Sequence, residues 1–202
     1  MSHPIMQFLT TPMFHVGTMP VSVGDLAGFT TGLACVALAA RGSILNFPFA
    51  LINSLVLGAV FFHARLFGDM SLQVVFFVLS VQGWIQWMLA SSKEDAKPKP
   101  IRKGDFVLGL AIVCALTLVL REVLIRLGGA APWPDAFVTS ASIWAQWLLN
   151  RKSVSTWVWW IAVDIVSIPL YWSRQLPLIA LLYVLFLVLC IQGWYRWRVA
   201  VR

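Results

Sequence analysis

Polar and aromatic side chains recur at helical spacing inside three otherwise apolar segments, and their types suit ligand binding. In the third apolar segment, steps of four and three residues place these side chains on one face: Gln73, Phe77, Ser80, Trp84 and Trp87. The sixth segment repeats such a face: Trp157, Trp160, Asp164, Ser167 and Tyr171. In the fifth, one face carries Asp135, Thr139, Ser142 and Gln146, and another carries Ser140, Trp144 and Trp147. These faces are the candidate binding surfaces.

Interleaved rings and amides favour a flat, polar heteroaromatic ligand. Aromatic rings stack on the faces of such a molecule while amides bond its edges, and a cationic ring gains further from tryptophan. Asp164 lies deep in an apolar segment without a neighbouring cation, and Asn53 falls near its repeat position if one residue of slip is allowed. Such polar groups are costly against lipid, so we expect them to point into a helix bundle.

Catalytic and metal-binding signatures are missing from the sequence. It contains no nucleophile–base arrangement, HExxH pair, glycine-rich phosphate loop or paired carboxylates. His3, His15 and His63 have no partner at ligand spacing, and the three cysteines fit neither a disulfide framework nor a zinc site. We therefore expect a protein that is not an enzyme and that uses neither a cofactor nor a metal ion.

Each candidate residue also has a purely structural interpretation. Trp87 and the equivalent Trp197 end apolar segments, where tryptophans commonly form an interfacial belt. Gln73 and Asn53 could simply join neighbouring helices. Asp25 begins a segment, where capping the helix is the ordinary role of an aspartate.

The composition places all of these residues in a membrane protein. Of 202 residues, 60% are hydrophobic and 11% are charged, whereas a soluble domain carries about 25% charged residues. The chain therefore lacks the polar surface that water requires. The net charge of +7 could indicate nucleic acid, but the basic residues lie between apolar segments rather than along one amphipathic element. We expect the lipid bilayer as a partner and no nucleic acid.

Seven segments are long and apolar enough to span a membrane: about 23–40, 44–63, 70–90, 105–126, 134–150, 155–173 and 176–197. If the N-terminus is outside, eleven of the fifteen basic residues face inward: Arg41, Lys93, Lys97, Lys99, Arg102, Lys103, Arg151, Lys152, Arg196, Arg198 and Arg202. The outer side keeps Arg65, Arg121, Arg126 and Arg174. The positive-inside rule then predicts an outer N-terminus and a cytoplasmic C-terminus.

A shift of 110 residues aligns the two halves of the chain. The strings QGWIQW at 82–87 and QGWYRW at 192–197 coincide under this shift. Further matches are Asp25 with Asp135, Arg41 with Arg151, and Phe47 with Trp157. Matched charges at segment ends favour a duplicated unit over a coincidence of apolar composition.

The duplication predicts an all-α integral membrane protein with seven transmembrane helices arranged as 3+1+3. Two parallel three-helix-bundle repeats are joined by an inversion linker helix, because three helices alone would reverse the second copy. The predicted divisions are an extracytoplasmic or interfacial segment at 1–22, repeat 1 at 23–90, a cytoplasmic loop with linker helix 4 at 91–127, and repeat 2 at 133–200. Parallel repeats favour a transporter, although a membrane enzyme or a receptor could also be duplicated.

Three stretches carry a family resemblance: RLFGDMSLQVVFFVLSVQGWIQW, WPDAFVTSASIWAQWLLNRKSVSTWVWWIAVDIVSIPLY and LYVLFLVLCIQGWYRWR. They resemble the PnuC family of bacterial vitamin transporters over roughly residues 20–200. The resemblance implies the SWEET-like 3+1+3 fold, a homo-oligomer in the bacterial inner membrane, and passive uptake of nicotinamide riboside that is trapped by a cytoplasmic kinase. Thiamine or riboflavin is the alternative substrate. Phe47 replaces a tryptophan that many relatives carry, a mild departure.

Carried over by motif, the implied substrate contacts are Gln73, Asn53, Trp144, Trp147, Asp164 and Tyr171. The helical faces add Phe77, Trp84, Ser140 and Gln146 as further candidates. On this hypothesis the pyridinium ring lies on tryptophan faces, the carboxamide meets the amides, and the ribose hydroxyls meet Asp164 or Asn53.

Overall fold

The computed structural model describes residues 7–9, 11–16, 19–63, 67–90, 97–128, 131–173 and 177–201. Several residues used for the predicted orientation lie outside these ranges: Arg65, Lys93, Arg174 and Arg202. The same is true of His3.

Seven helices of 18 to 24 residues occupy the described chain: α1 Val23–Ala40, α2 Asn46–His63, α3 Phe67–Met88, α4 Lys103–Arg126, α5 Pro132–Asn150, α6 Ser155–Ser173 and α7 Pro177–Ala200. Each coincides with one predicted segment, with ends that differ by at most three residues. Proline in the first turn suits a helix start, because its missing N–H has no partner there in any case; α5 and α7 both begin in this way.

Membrane-spanning length and apolarity are clearest in four of the helices: Val23–Ala40, Met70–Met88, Gly104–Arg126 and Ile179–Ala200. Helix α2 is a shorter apolar helix. Helices α5 and α6 carry more polar side chains, and much of their surface is buried by neighbouring helices. A helix that is enclosed by protein need not be apolar all round, because its polar groups never meet lipid.

A β-hairpin precedes α1 and was not predicted from the sequence. Its strands, β1 Pro12–Val16 and β2 Met19–Ser22, pair antiparallel. Ser22 then caps α1: its Oγ accepts from the Asp25 backbone N–H at 3.2 Å, and an Asp25 carboxylate oxygen accepts from the Ser22 backbone N–H at 3.0 Å. The capping interpretation of Asp25 is confirmed, since this pair forms a capping box.

Six helices pack as a closed ring in the order α1, α2, α3, α5, α6, α7 and back to α1. Helix α4 stands outside the ring and packs mainly against α5. Its outward residues are apolar and exposed, for example Val107, Leu118 and Val119. In a membrane this face meets lipid.

The turn between α1 and α2 has the same backbone structure as the turn between α5 and α6. The Ser43 N–H donates to the Leu38 carbonyl at 2.9 Å, and the Ser153 N–H donates to the Leu148 carbonyl at 3.0 Å. The residue before each serine has a positive φ, 68° in the first turn and 55° in the second. The 110-residue sequence match therefore extends to hydrogen bonds and backbone dihedrals.

Aromatic pairs repeat in the same way at this end of the molecule. The Phe47 and Trp87 rings meet edge to face with centroids 5.1 Å apart, and the equivalent Trp157 and Trp197 rings meet edge to face at 5.3 Å. Trp87 and Trp197 also face each other across the bundle, with centroids 6.2 Å apart. Because Trp87 and Trp197 are only 7% and 3% exposed, the interfacial-belt interpretation is wrong for both; they belong to a buried aromatic core.

The loop between α3 and α4 is bound at its described end to the second half of the chain. The Lys99 N–H donates to the Lys152 carbonyl at 2.8 Å, and the Val154 N–H donates to the Lys99 carbonyl at 3.0 Å. A short backbone pairing of this kind is invisible in side-chain composition. Residues 91–96 of the linker are outside the described residues.

Candidate functional site

The predicted faces of α3 and α6 are the protein-facing faces of these helices. On α6, Trp157, Asp164 and Ser167 are buried, whereas Ile165 and Trp172 are exposed. On α3, Ser80 and Trp87 are buried and the other members of the face are half-buried. Helical periodicity therefore predicted the inward faces of these two helices correctly. When one side of a helix is packed and the other is exposed, a repeat of 3.6 residues shows which residues share the packed side.

Several polar side chains of α6 are buried without a full set of hydrogen bonds among the described residues: Ser155, Trp157 and Trp159 in its first two turns, and Asp164 and Ser167 further along. Asp164 is 1% exposed, and its Oδ2 has no hydrogen-bond partner within the described part of the chain. Ser167, almost one turn further along, is equally buried, and its hydroxyl lies close enough to Tyr183 to interact with it. The Cys190 thiol of α7 is a hydrogen-bond partner of the Asp164 carboxylate. Buried polar groups are normally satisfied, so this place is suited to a polar ligand group.

Aromatic rings continue from this point towards α1. The Tyr171 and Tyr183 rings stack with centroids 5.2 Å apart and planes 15° apart. Tyr183 meets Phe186 edge to face at 5.8 Å. Tyr183 also interacts electrostatically with Asp164, so the carboxylate lies in the same region of the bundle as the rings.

Asn53 reaches the same region from α2. Its Nδ2 donates to the Gly28 carbonyl at 2.6 Å and to the Thr31 hydroxyl at 2.9 Å. A Cβ on Gly32 would lie 3.3 Å from the tip of the Phe186 ring and 3.4 Å from Asn53 Nδ2. Helices α1, α2, α6 and α7 thus converge on one set of side chains, called here the central row: Asn53, Asp164, Ser167, Tyr171, Tyr183 and Phe186.

Three other predicted site residues line a different space. Ser140, Trp144 and Trp147 of α5 face an apolar cavity of about 310 Å³ between α3, α4 and α5, called here the side cavity. The two indole rings stack with centroids 4.6 Å apart. A Cβ on Gly109 would clash with the Trp144 ring, so this glycine lets α4 approach closely. The Trp144 Nε1 has no hydrogen-bond partner in the described chain.

The remaining predicted residues lie elsewhere on α3 and α5. Gln146 donates to the Asn150 Oδ1 at 3.2 Å. Trp84 packs against the buried aromatic core. The Cβ of Gln73 lies 3.6 Å from the position that a Cβ on Gly58 would occupy, where α2 and α3 come close. Phe77 is half-buried on the same face of α3.

A second cavity opens at the end of the bundle where α3 and α5 finish. This end cavity has a volume of about 370 Å³ and is lined by Gln86, Trp87, Leu89, Ala90, Lys99, Asn150, Arg151 and Lys152. The Arg151 guanidinium lies 3.7 Å from the Trp147 ring centroid, and the Lys152 ammonium lies 4.6 Å from that of Trp87. Cation–π contacts therefore fix two of its positive charges.

Sequence reasoning missed Tyr183 and Phe186 of the central row. Helix α7 reads as a nearly continuous apolar run, so no polar spacing marks its inward face. One signal was available: aromatic residues three apart on the seventh segment share a face. Asn150 was also missed, although an amide in the last turn of an apolar helix is unusual enough to note.

Apolar spanning helices, an inward polar and aromatic row, and a duplicated helical unit define a multi-pass membrane protein of the transporter class. The sequence profile of the family described as Nicotinamide mononucleotide transporter matches residues 22–199. The chain belongs to this family of membrane transporters.

Individual relatives agree with that membership. The chain is 27% identical to the nicotinamide riboside transporter PnuC of Escherichia coli K12, with 86% of this chain and 84% of the relative covered. It is 30% identical to PnuC of Neisseria mucosa, covering 85% and 70%. It is 26% identical to the riboflavin/roseoflavin transporter RibM of Streptomyces davaonensis, covering 95% and 92%.

A solved structure is similar as well. The crystal structure of the vitamin B3 transporter PnuC superposes with a TM-score of 0.71 at 27% identity, covering 89% of this chain and 81% of that one. The likeness therefore extends to the helical architecture over most of both molecules.

Proposed function

We propose that this protein carries nicotinamide riboside across the bacterial inner membrane by facilitated diffusion. Several relatives at 27–30% identity are nicotinamide riboside transporters. The observation in this chain that carries the proposal is the buried Asp164 carboxylate, with an unpartnered oxygen, beside stacked tyrosine rings. A transporter with this site has no need of a catalytic group, so we do not expect an enzyme.

The central row suits this substrate chemically. Nicotinamide riboside pairs a cationic pyridinium ring with ribose hydroxyls. The Tyr171 and Tyr183 rings offer π-faces to the cation, and the Asp164 carboxylate can neutralise it or accept a ribose hydroxyl. Both Nδ2 protons of Asn53 are already donated to α1, so we assign this residue the acceptor role of its oxygen.

Riboflavin is the second candidate, and the RibM relative favours it because that alignment covers 95% of this chain. Riboflavin is neutral at its ring system and bulkier, so it gains nothing from the Asp164 charge. Thiamine is also cationic, which makes it a necessary member of any ligand panel. The buried carboxylate is our reason for preferring nicotinamide riboside over riboflavin.

We propose the 3+1+3 arrangement with repeat 1 at 23–90, the linker region at 91–127 and repeat 2 at 133–200. The ring order supports it, because the units contact each other mainly through the helix pairs α3–α5 and α7–α1. The repeated turns and aromatic pairs support a parallel relation. Basic residues at the α1–α2 and α5–α6 turns favour a cytoplasmic location for this end, with the N-terminus outside.

The mechanism that fits this arrangement is alternating access. The two units would rock about the central row, closing one end while the other opens. Contact between Trp87 and Trp197 at the cytoplasmic end brings the two units together there. No titrating group beyond Asp164 is assigned to the path, so we expect passive uniport with trapping of the substrate by phosphorylation in the cytoplasm. The family resemblance favours a homo-oligomer.

A thermal-shift panel tests the substrate and the site together. Purified protein is heated with nicotinamide riboside, nicotinamide, thiamine or riboflavin. Binding stabilises by mass action, by about 2.7 kcal/mol at roughly 100 times Kd. We expect nicotinamide riboside to give the largest shift; a larger shift with riboflavin would replace our substrate.

Paired variants then decide between the two candidate spaces. Tyr171→Leu should remove the ligand shift. Trp172→Leu should retain it, because the neighbouring Trp172 side chain is exposed. Trp144→Ala in the side cavity should also retain most of the shift. Loss of the shift in Trp144→Ala but not in Tyr171→Leu would move the site to the side cavity.

A further inference from the structure

The two proposed units meet at two seams, which are related by the 110-residue match. In the α3–α5 seam the last helix of repeat 1 packs on the first helix of repeat 2. In the α1–α7 seam the first helix of repeat 1 packs on the last helix of repeat 2. If the units were identical, the two seams would be equally easy to part. The structure shows a difference at one position.

Asn150, the last residue of α5, fastens the α3–α5 seam. It is 3% exposed, and its Nδ2 donates to the Leu79 carbonyl of α3 at 2.8 Å. Its own carbonyl accepts from the Trp87 Nε1 of α3 at 3.0 Å. Gly83 of α3 is required beside it, because a Cβ there would overlap the Asn150 amide.

The α1–α7 seam lacks this fastening among the described residues. The position equivalent to Asn150 is Ala40, which has no side-chain donor. Trp197, the equivalent of Trp87, has an indole N–H without a hydrogen-bond partner in that part of the chain. The contacts that hold this seam are apolar, such as Phe186 against Gly32.

We propose that Asn150 is a positioning residue for transport: it keeps the α3–α5 seam closed as a hinge, so that the cytoplasmic path opens by separation of α1 from α7. Parting α3 from α5 would strip buried polar groups of their partners, which is costly in a membrane interior. Parting α1 from α7 separates apolar surfaces. It breaks no hydrogen bond of the Trp197 indole N–H, which has no partner among the described residues in the closed seam. This inference rests on the proposed alternating access.

Distance measurements between spin labels test the inference. With the exposed Cys114 replaced by serine, one label pair spans the α3–α5 seam at Met88 and Arg151, and another spans the α1–α7 seam at Arg41 and Val199. All four positions are exposed at the cytoplasmic ends of their helices. We expect nicotinamide riboside to shift the Arg41–Val199 distance distribution and to leave the Met88–Arg151 distribution unchanged.

A variant of similar branched shape shows whether Asn150 sets this asymmetry. Asn150→Leu replaces the amide oxygen and nitrogen with two methyl groups, which removes the Nδ2 donor and makes the side chain somewhat larger. We expect substrate to move the Met88–Arg151 pair in this variant, and the maximal counterflow rate to fall about tenfold with unchanged KM, because an unsatisfied buried group costs about the free energy of a tenfold rate change. Val154→Ala, which loosens the neighbouring core without touching the seam hydrogen bonds, should lower stability and leave both distances as in the parent.

Four results would overturn the proposal. If both seams move equally in the parent protein, or if the α3–α5 seam alone moves, Asn150 is not the hinge, although the protein still transports. If neither distance changes in a protein that catalyses counterflow, the rocking motion and this inference are both rejected. If the unlabelled protein shows no counterflow at all, the proposed function itself fails, and this result is distinct from the other three.

Discussion

At the residue scale, Asp164 combines burial with incomplete hydrogen bonding. A carboxylate enclosed by protein is expensive unless it is paired, and the described partner of Asp164 is a weakly donating thiol. The protein can retain this costly buried carboxylate if a cationic ligand pairs with it during part of the transport cycle. The neighbouring Ser167 hydroxyl can donate to the same ligand.

Asp164→Asn should separate the contribution of charge from that of shape. We expect binding of nicotinamide riboside to weaken by about 1.5–3 kcal/mol, since hydrogen bonds to charged groups are worth about that much, while the unliganded protein becomes no less stable. The reduced, uncharged form of the riboside is the matched control ligand, and its affinity should change little. Titration calorimetry with both forms measures the difference. An equal loss of affinity for both forms would show that the charge of Asp164 does not contribute to binding.

The predicted site residues fall into different places in the structure, for a reason that differs between helices. Asp164 and Tyr171 share one face of α6, and another side of this helix, with Ile165 and Trp172, is exposed, so periodicity predicted an inward face. Helix α5 contacts α3, α4 and α6, so both of its patterned faces are buried. Spacing alone could not tell that Trp144 and Trp147 point towards α4 rather than towards Asp164.

At the element scale, the repeated QGW string marks a close approach of helices. Gly193 of α7 lies against Trp157 of α6, and Gly83 of α3 lies against Phe47 of α2. Each glycine lets an aromatic side chain of the preceding helix pack against its helix backbone. The last tryptophan of each string then packs edge to face on the same aromatic ring: Trp87 on Phe47, and Trp197 on Trp157.

Gly193→Ala should therefore destabilise the protein. The new Cβ would lie 2.7–2.8 Å from the Trp157 ring, and overpacking of this kind costs about 1–3 kcal/mol. Gly104→Ala on α4 is the matched control, because a Cβ there meets nothing within 4 Å. Thermal unfolding in detergent compares the two; equal stability of both variants would contradict the packing assigned to the string.

Helix positions were predictable from the sequence, whereas two short backbone pairings were not. Apolar runs bounded by charge or proline define the helix ends, because lipid allows few other ways to satisfy the backbone. The β-hairpin and the pairing of Lys99 with the α5–α6 turn depend on backbone hydrogen bonds between short segments of mixed composition. The spacing of side-chain types along the sequence does not predict such backbone pairings.

At the scale of the whole molecule, a ring of six helices with a seventh outside it gives two seams, and Asp164 and Ser167 of the central row are buried within it. The duplicated turns and ring pairs make the two halves structurally similar at the end of the bundle that carries the α1–α2 and α5–α6 turns. Two similar halves that contact each other at two seams suit alternating access, in which one side of the molecule closes while the other opens. The central row lies on helices from both halves, as such a cycle requires.

Counterflow in proteoliposomes tests the central claim most directly. Vesicles that contain the purified protein are loaded with unlabelled nicotinamide riboside and then diluted into labelled substrate, with no proton or sodium gradient imposed. We predict transient accumulation of label inside, which is abolished in Tyr171→Leu and retained in Trp172→Leu. Accumulation that appears only when an ion gradient is imposed would contradict passive transport, and no accumulation under any condition would contradict transport of this substrate.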